Sequence, residues 1–284
     1  MGILLGLGAA LSWGLADYFA ARASRRIGAF RVVLGFHIVA TFLLGVLVAA
    51  TGALGDVDWS HVGFFAGVGV LGWTSYLAFY RALEIGPISV ASPIISGYAA
   101  VTVVLAVLVA GERLTAGQTA AIVLTILGVV LAGADLHRIA RLERVAPLGL
   151  VLSLLAMVLI GAFVFGVSYY RDELGWLAPI FLGRALATLF LAAQFGRSGW
   201  PAEDRSRRIL GVIALLAVLD TAGYVFFNVG AGLAKTSIVA AASAPYGVVP
   251  VVMGVWLLAE RPTRPQWIGV ALVIGGLVLL ALAS

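Results

Sequence analysis

The chain has no cysteine, which excludes disulfides, thiolate metal sites and thiol nucleophiles together. Its three histidines, His37, His61 and His137, are too scattered to suggest a metal cluster, and no cofactor is expected. Charge is also scarce. Asp, Glu, Lys and Arg make up 11% of the 284 residues, where an ordinary soluble domain has about 25%. A soluble protein of this length could not cover its surface with so few polar groups. Apolar residues reach 62%, so the excess must face lipid, and the fold class expected is an all-α integral membrane protein. The net charge of +5 comes mostly from arginines between apolar stretches, where it sets membrane orientation rather than nucleic-acid binding. The opening GILLGLGAALSWGLADYFAA has no basic leader and no evident cleavage site, and reads as a first membrane helix.

A membrane helix needs about 20 predominantly apolar residues. Ten stretches qualify: 3–21, 30–51, 61–83, 88–110, 116–134, 147–170, 177–195, 208–230, 237–258 and 266–283. The longest connectors, 135–146 and 196–208, are too short for a soluble domain. GERLTAGQ (111–118) returns as AERPTRPQ (259–266), with Glu112/Glu260, Arg113/Arg261, Thr115/Thr263 and Gln118/Gln266 identical at an offset of 148. Phe79/Phe227, Tyr98/Tyr246 and Gly128/Gly276 match at the same offset. This predicts two five-helix repeats, 1–134 and 147–284, joined by a basic linker at 135–146. Because five is odd, the second repeat enters the membrane inverted. The repeated phrase itself reads as a helix-entry signal, its Glu and Thr suiting the positive end of the following helix.

The pattern resembles the drug/metabolite transporter superfamily, in its ten-helix form with two EamA-type domains. LSWGLADYF (11–19), YRALEIGPISVASPI (80–94) and the duplicated GERLTAGQ…GVVLAG run carry the resemblance, which spans essentially the whole chain. It implies alternating-access transport of a small molecule, often an exported metabolite, amino acid or toxic compound; the cell (inner) membrane is the expected location, and the two fused halves make a monomer sufficient. It also implies cytoplasmic termini. The arginine count points the other way. Fourteen arginines lie in or beside the connectors after odd-numbered spans, against Arg113, Arg171 and Lys235 on the other side. By the positive-inside rule both termini would face outward.

Ionisable residues inside a span are functional candidates by default. Here these are Asp17, His37, Arg184 and Asp220. Arg184 aligns with Phe36, one position from His37, and a structural pair is the simpler reading there. Asp17 stands five residues before Arg22, so an interfacial ion pair competes with a role in proton coupling. Asp220, Tyr224 and Asn228 share a helix face at i, i+4, i+8, and the offset carries this face onto Gly72, Tyr76 and Tyr80. Such paired stripes would be wasted on lipid and are expected to line a cavity between the halves, although aromatic stripes also serve as packing. Trp13 and Trp73 would add walls. Ser92, Ser96 and Tyr98, with Ser243 and Tyr246 in the matching span, form a second polar set beside Pro93 and Pro245, where kinks could act as hinges. Gly63-x-x-x-Gly67 fits close helix packing.

Asp220 is then the candidate for a proton site or for pairing with a substrate amine, since burial disfavours the charged carboxylate. No P-loop is present, so uphill transport would need an ion gradient, and facilitated uptake of a sugar or other metabolite fits equally. An intramembrane enzyme would need a nucleophile, base or metal cluster that this sequence does not offer.

Overall fold

The computed structural model describes residues 1–55, 57–86, 88–133, 147–195, 206–249 and 264–283. The helices, in order, are α1 (Gly2–Ile27), α2 (Ala29–Thr51), α3 (Val62–Ile85), α4 (Ile88–Ser96), α5 (Tyr98–Leu108), α6 (Ala116–Gly133), α7 (Pro147–Tyr169), α8 (Arg171–Leu174), α9 (Leu177–Phe195), α10 (Arg207–Leu233), α11 (Thr236–Ser243) and α12 (Arg264–Ala283). Two 3₁₀ turns, Trp59–His61 and Ala244–Val248, complete the regular structure, and no strand occurs among the described residues. Among the described residues, six helical stretches are long and apolar enough to cross a membrane, with shorter apolar helices at Ile94–Leu108, Ala116–Leu131 and Trp267–Ala283. Large apolar side chains such as Phe42, Leu189 and Leu282 are more than half exposed, as a lipid-facing surface requires.

The expected span at 88–110 is not one helix. It breaks at Gly97 into α4 and α5. The matching stretch passes from α11 into the 3₁₀ turn Ala244–Val248, which has Pro245 near its start. Both interruptions therefore fall beside the paired tyrosines, Tyr98 and Tyr246. The linker 135–146, the connector 196–205 and residues 250–263, with Glu260, Arg261 and Thr263, lie outside the described residues.

The repeated phrase divides into two roles. Thr115 and Gln118 form a reciprocal capping box at the start of α6: the Gln118 amide donates to Thr115 Oγ1 at 3.2 Å, and the Thr115 amide donates to Gln118 Oε1 at 3.1 Å. Glu112 does not serve that helix, as the sequence led one to expect. Its carboxylate accepts from the amides of Thr236 (2.9 Å) and Ser237 (3.2 Å) and from the Ser237 hydroxyl, and so caps α11 from the other half of the chain. Lys235 closes the same joint by donating to the Arg113 carbonyl at 2.6 Å.

Packing crosses between the halves throughout. α1 lies along α10 and α7 along α3; α9 packs on α3 and α2 on α10; α2 meets α9, and α6 meets α12. Small residues allow these approaches. A Cβ on Gly128 would sit 2.6 Å from the Val273 amide, and one on Gly276 would sit 2.8 Å from the Thr125 amide. The expected close approach at Gly63 and Gly67 is absent, because nothing lies within 4 Å of a Cβ built on either. On α3 the glycines that meet neighbours are Gly69, against Gly183 of α9, and Gly72, against Phe163 of α7. Small-residue spacing marks a face that can approach another, but the face chosen depends on where the neighbour lies.

Candidate functional site: a ring-lined cavity between the halves

Residues separated by the repeat offset meet one another at the centre. The hydroxyl oxygens of Tyr76 and Tyr224 are 3.2 Å apart, and the rings of Tyr98 and Tyr246 are 5.7 Å apart between centroids. In the first two helices of each half the offset is 147. Thr41 and Thr188 share a 2.9 Å hydrogen bond. A side chain on Gly14 would strike the Tyr246 carbonyl, and one on Gly161 the Tyr98 carbonyl. The true counterpart of Arg184 is thus His37, not Phe36.

Around this centre is a cavity of about 40 Å³. Trp13, Ala16 and Asp17 of α1, Tyr76, Phe79 and Tyr80 of α3, and Tyr98 of α5 form one part of its lining. Ile160 and Val164 of α7, Asp220 and Tyr224 of α10, and Tyr246 complete it. Trp13 is held against α10 by donating from Nε1 to the Asp220 carbonyl at 3.3 Å, and its ring meets Tyr224 edge-on at 5.3 Å. A water needs roughly 10–15 Å³, so the space as it stands holds a few waters rather than a metabolite.

Asp220 lies at the edge of this space, fully engaged. Arg184 Nη2 donates to its Oδ2 at 2.5 Å, and the Tyr76 hydroxyl donates to its Oδ1. Both ends of this ion pair are buried, Arg184 at 4% exposure and Asp220 at 3%. The guanidinium carbon also sits 4.9 Å from the Phe36 ring centroid and 5.0 Å from that of Tyr224. A buried pair of this kind is favourable only with further hydrogen bonds around it, which Tyr76 supplies. His37 is not part of the pair; its Nδ1 lies 2.8 Å from the Val33 carbonyl, and its ring packs on Tyr76.

Asp17 differs. It is 5% exposed and lines the cavity, and its Oδ2 has no hydrogen-bond partner among the described residues. The ion pair with Arg22 does not form; Arg22 donates to Tyr18 instead.

The remaining candidates sit outside the cavity lining. Ser243 holds Tyr98 through a 2.6 Å hydroxyl contact, and Ser92 and Ser96 are buried nearby in α4. Asn228 donates to its own helix at the Tyr224 carbonyl, 2.9 Å away. Trp73 stacks on Phe190 at 5.1 Å, against α9. Sequence reasoning missed Ile160, Val164, Phe79 and Ala16. A signal for the first two existed, because they stand 147 residues after Trp13 and Asp17.

Compared with known families, the sequence profile of the EamA-like transporter family matches residues 1–134 and again residues 147–282. The chain belongs to the EamA-like transporter family. It is therefore a multi-pass membrane protein of a family of small-compound transporters, not of an enzyme family. No curated protein matches it significantly. Among solved structures, a crystal structure described only as that of a protein superposes with a TM-score of 0.74 at 18% identity, over 99% of this chain and 97% of the other. That likeness shows that this EamA-like chain shares its fold with a protein of very different sequence.

Proposed function

We propose that this protein is a secondary transporter in which two inverted five-helix halves, residues 1–134 and 147–284, expose the ring-lined cavity alternately to either side of the membrane. The observation that carries this reading is the contact of repeat counterparts, Tyr76 with Tyr224 and Tyr98 with Tyr246, around one central cavity. Counterparts can touch themselves only on a pseudo-two-fold axis, and in inverted-repeat transporters the substrate site lies there. The interlocked packing supports the same motion. α1 with α10 and α3 with α7 form two equivalent walls, while the α6–α12 pair and the Thr41–Thr188 contact join the halves away from the cavity. Exchanging the conformations of the two halves exchanges the open side.

The Arg184–Asp220–Tyr76 group is the rigid floor in this reading, and Tyr80, Tyr98, Tyr224, Tyr246 and Trp13 supply ring faces and hydroxyls to the substrate. Substrates are small and amphipathic. A thermal-shift screen of purified protein against amines, amino acids, nucleobases and sugars tests it, with Tyr224→Ala in parallel. The expected result is a compound that stabilises the wild type but not the variant, and that exchanges across proteoliposomes. A compound that binds both proteins equally and exchanges normally would move the site elsewhere.

A further inference from the structure

The cavity has unlike walls. Its offset-related lining pairs are Tyr76 with Tyr224, Tyr98 with Tyr246, Trp13 with Ile160, and Asp17 with Val164. The first two pairs are identical. The last two are not: α1 contributes an indole and a carboxylate where α7 contributes two aliphatic side chains. A symmetric framework has thus been given one acidic, aromatic wall and one apolar wall.

The charges in this neighbourhood do not cancel. Arg184 is bonded to Asp220, which leaves that pair neutral. Asp17 is buried to 95%, counted from its 5% exposure, and its Oδ2 is without a partner among the described residues. An isolated buried carboxylate is costly to ionise unless something brings it a positive charge, and without one it holds a proton that an arriving cation can displace. The aromatic residues that share its cavity, Trp13, Tyr80, Tyr98 and Tyr246, can also attract a cation through their faces.

We infer that Asp17, and not Asp220, receives the ammonium group of an amphipathic organic cation, whose apolar body rests on Ile160 and Val164. This deepens the transporter reading and depends on it. The cavity of about 40 Å³ accommodates an ammonium head among the α1 and tyrosine side chains, and the body enters when the walls separate. Both carboxylate oxygens of Asp220 already have donors, so Asp220 positions Tyr76 and does not take the ammonium group. The Arg184 Nη1 left without a partner among the described residues is itself a cationic donor that cannot receive one.

The test uses the full chain in detergent with three matched probes: phenethylammonium, 2-phenylethanol and phenylacetate. Asp17→Asn is close to isosteric and is expected to keep the fold, which its unfolding temperature checks. The ammonium probe is expected to bind the wild type in preference to the alcohol and the carboxylate. Asp17→Asn should weaken that binding by roughly 10- to 100-fold, and Asp17→Glu should restore most of it. Equal binding to wild type and Asp17→Asn overturns the proposal, as does absence of ammonium binding or equal affinity for the three probes. If the alcohol or the carboxylate binds best and is lost in Tyr224→Ala, the cavity reading survives and the cation assignment alone fails.

Discussion

Two carboxylates are buried on the neighbouring helices α1 and α10, and the protein treats them in opposite ways. Asp220 accepts from Arg184 and Tyr76 and rests beside Trp13, whose indole bonds its carbonyl. Asp17 faces the cavity with Oδ2 unpartnered. The first arrangement is what stability asks of a buried charge, with every oxygen given a donor. The second forgoes stability, and unfilled polar capacity of this kind is what a binding site keeps for its ligand. The contrast separates residues that build the site from residues that use it.

Removing the guanidinium breaks the comparison most severely. Arg184→Ala leaves Asp220 buried and unpaired, and should cost about 3–5 kcal/mol of stability. Thermal unfolding in detergent would show it, and adding Asp220→Asn to Arg184→Ala should recover a large part of the loss. Tyr76→Phe removes one donor from the same carboxylate and should cost about 1.5–3 kcal/mol, because the lost bond is to a charged group. Glu112 provides a third case, a carboxylate satisfied by backbone amides at the start of α11. Glu112→Ala should cost about 0.5–2 kcal/mol by exposing that helix end, with little change in ligand affinity. Asp17→Asn stands at the bottom of the scale. Its unfolding temperature should match or exceed that of wild type, within about 0.5 kcal/mol, while ligand binding suffers. A large destabilisation by Asp17→Asn would remove the distinction between the two acids.

Much of the site could be read from residue spacing, because helix periodicity and the repeat together overdetermine it. On the two repeat-related stripes, the i, i+4 pairs Asp220–Tyr224 and Tyr76–Tyr80 point inward, and all four side chains line the cavity. Trp13, Asp17, Tyr98 and Tyr246 line it too. The partner of Asp220 was not legible. Arg184 and Asp220 sit on different helices, and sequence shows that two opposite charges are buried without showing that they meet. The proton and amine role assigned to Asp220 from its solitude therefore passes, as a proposal, to Asp17. The one-residue change of offset was hidden for a similar reason. It arises between the second and third helices of a half, where loop length is free to vary, so an ungapped comparison placed Arg184 opposite Phe36. Ile160 and Val164 escaped notice because an apolar residue in a membrane helix looks the same whether it faces lipid or a cavity. Glu112 was misassigned because a cap satisfied from 124 residues away leaves no local pattern.

The absence of native cysteine makes the most direct measurement simple. Val164→Cys places a single thiol on the cavity wall, at a position only 3% exposed in this structure. Reconstituted in vesicles, it can be challenged with a membrane-impermeant thiol reagent from outside only or from inside only. Alternating exposure predicts labelling from both sides, each slowed by a bound substrate. Labelling from one side alone, or from neither, would contradict a cavity opened in turn by the two halves.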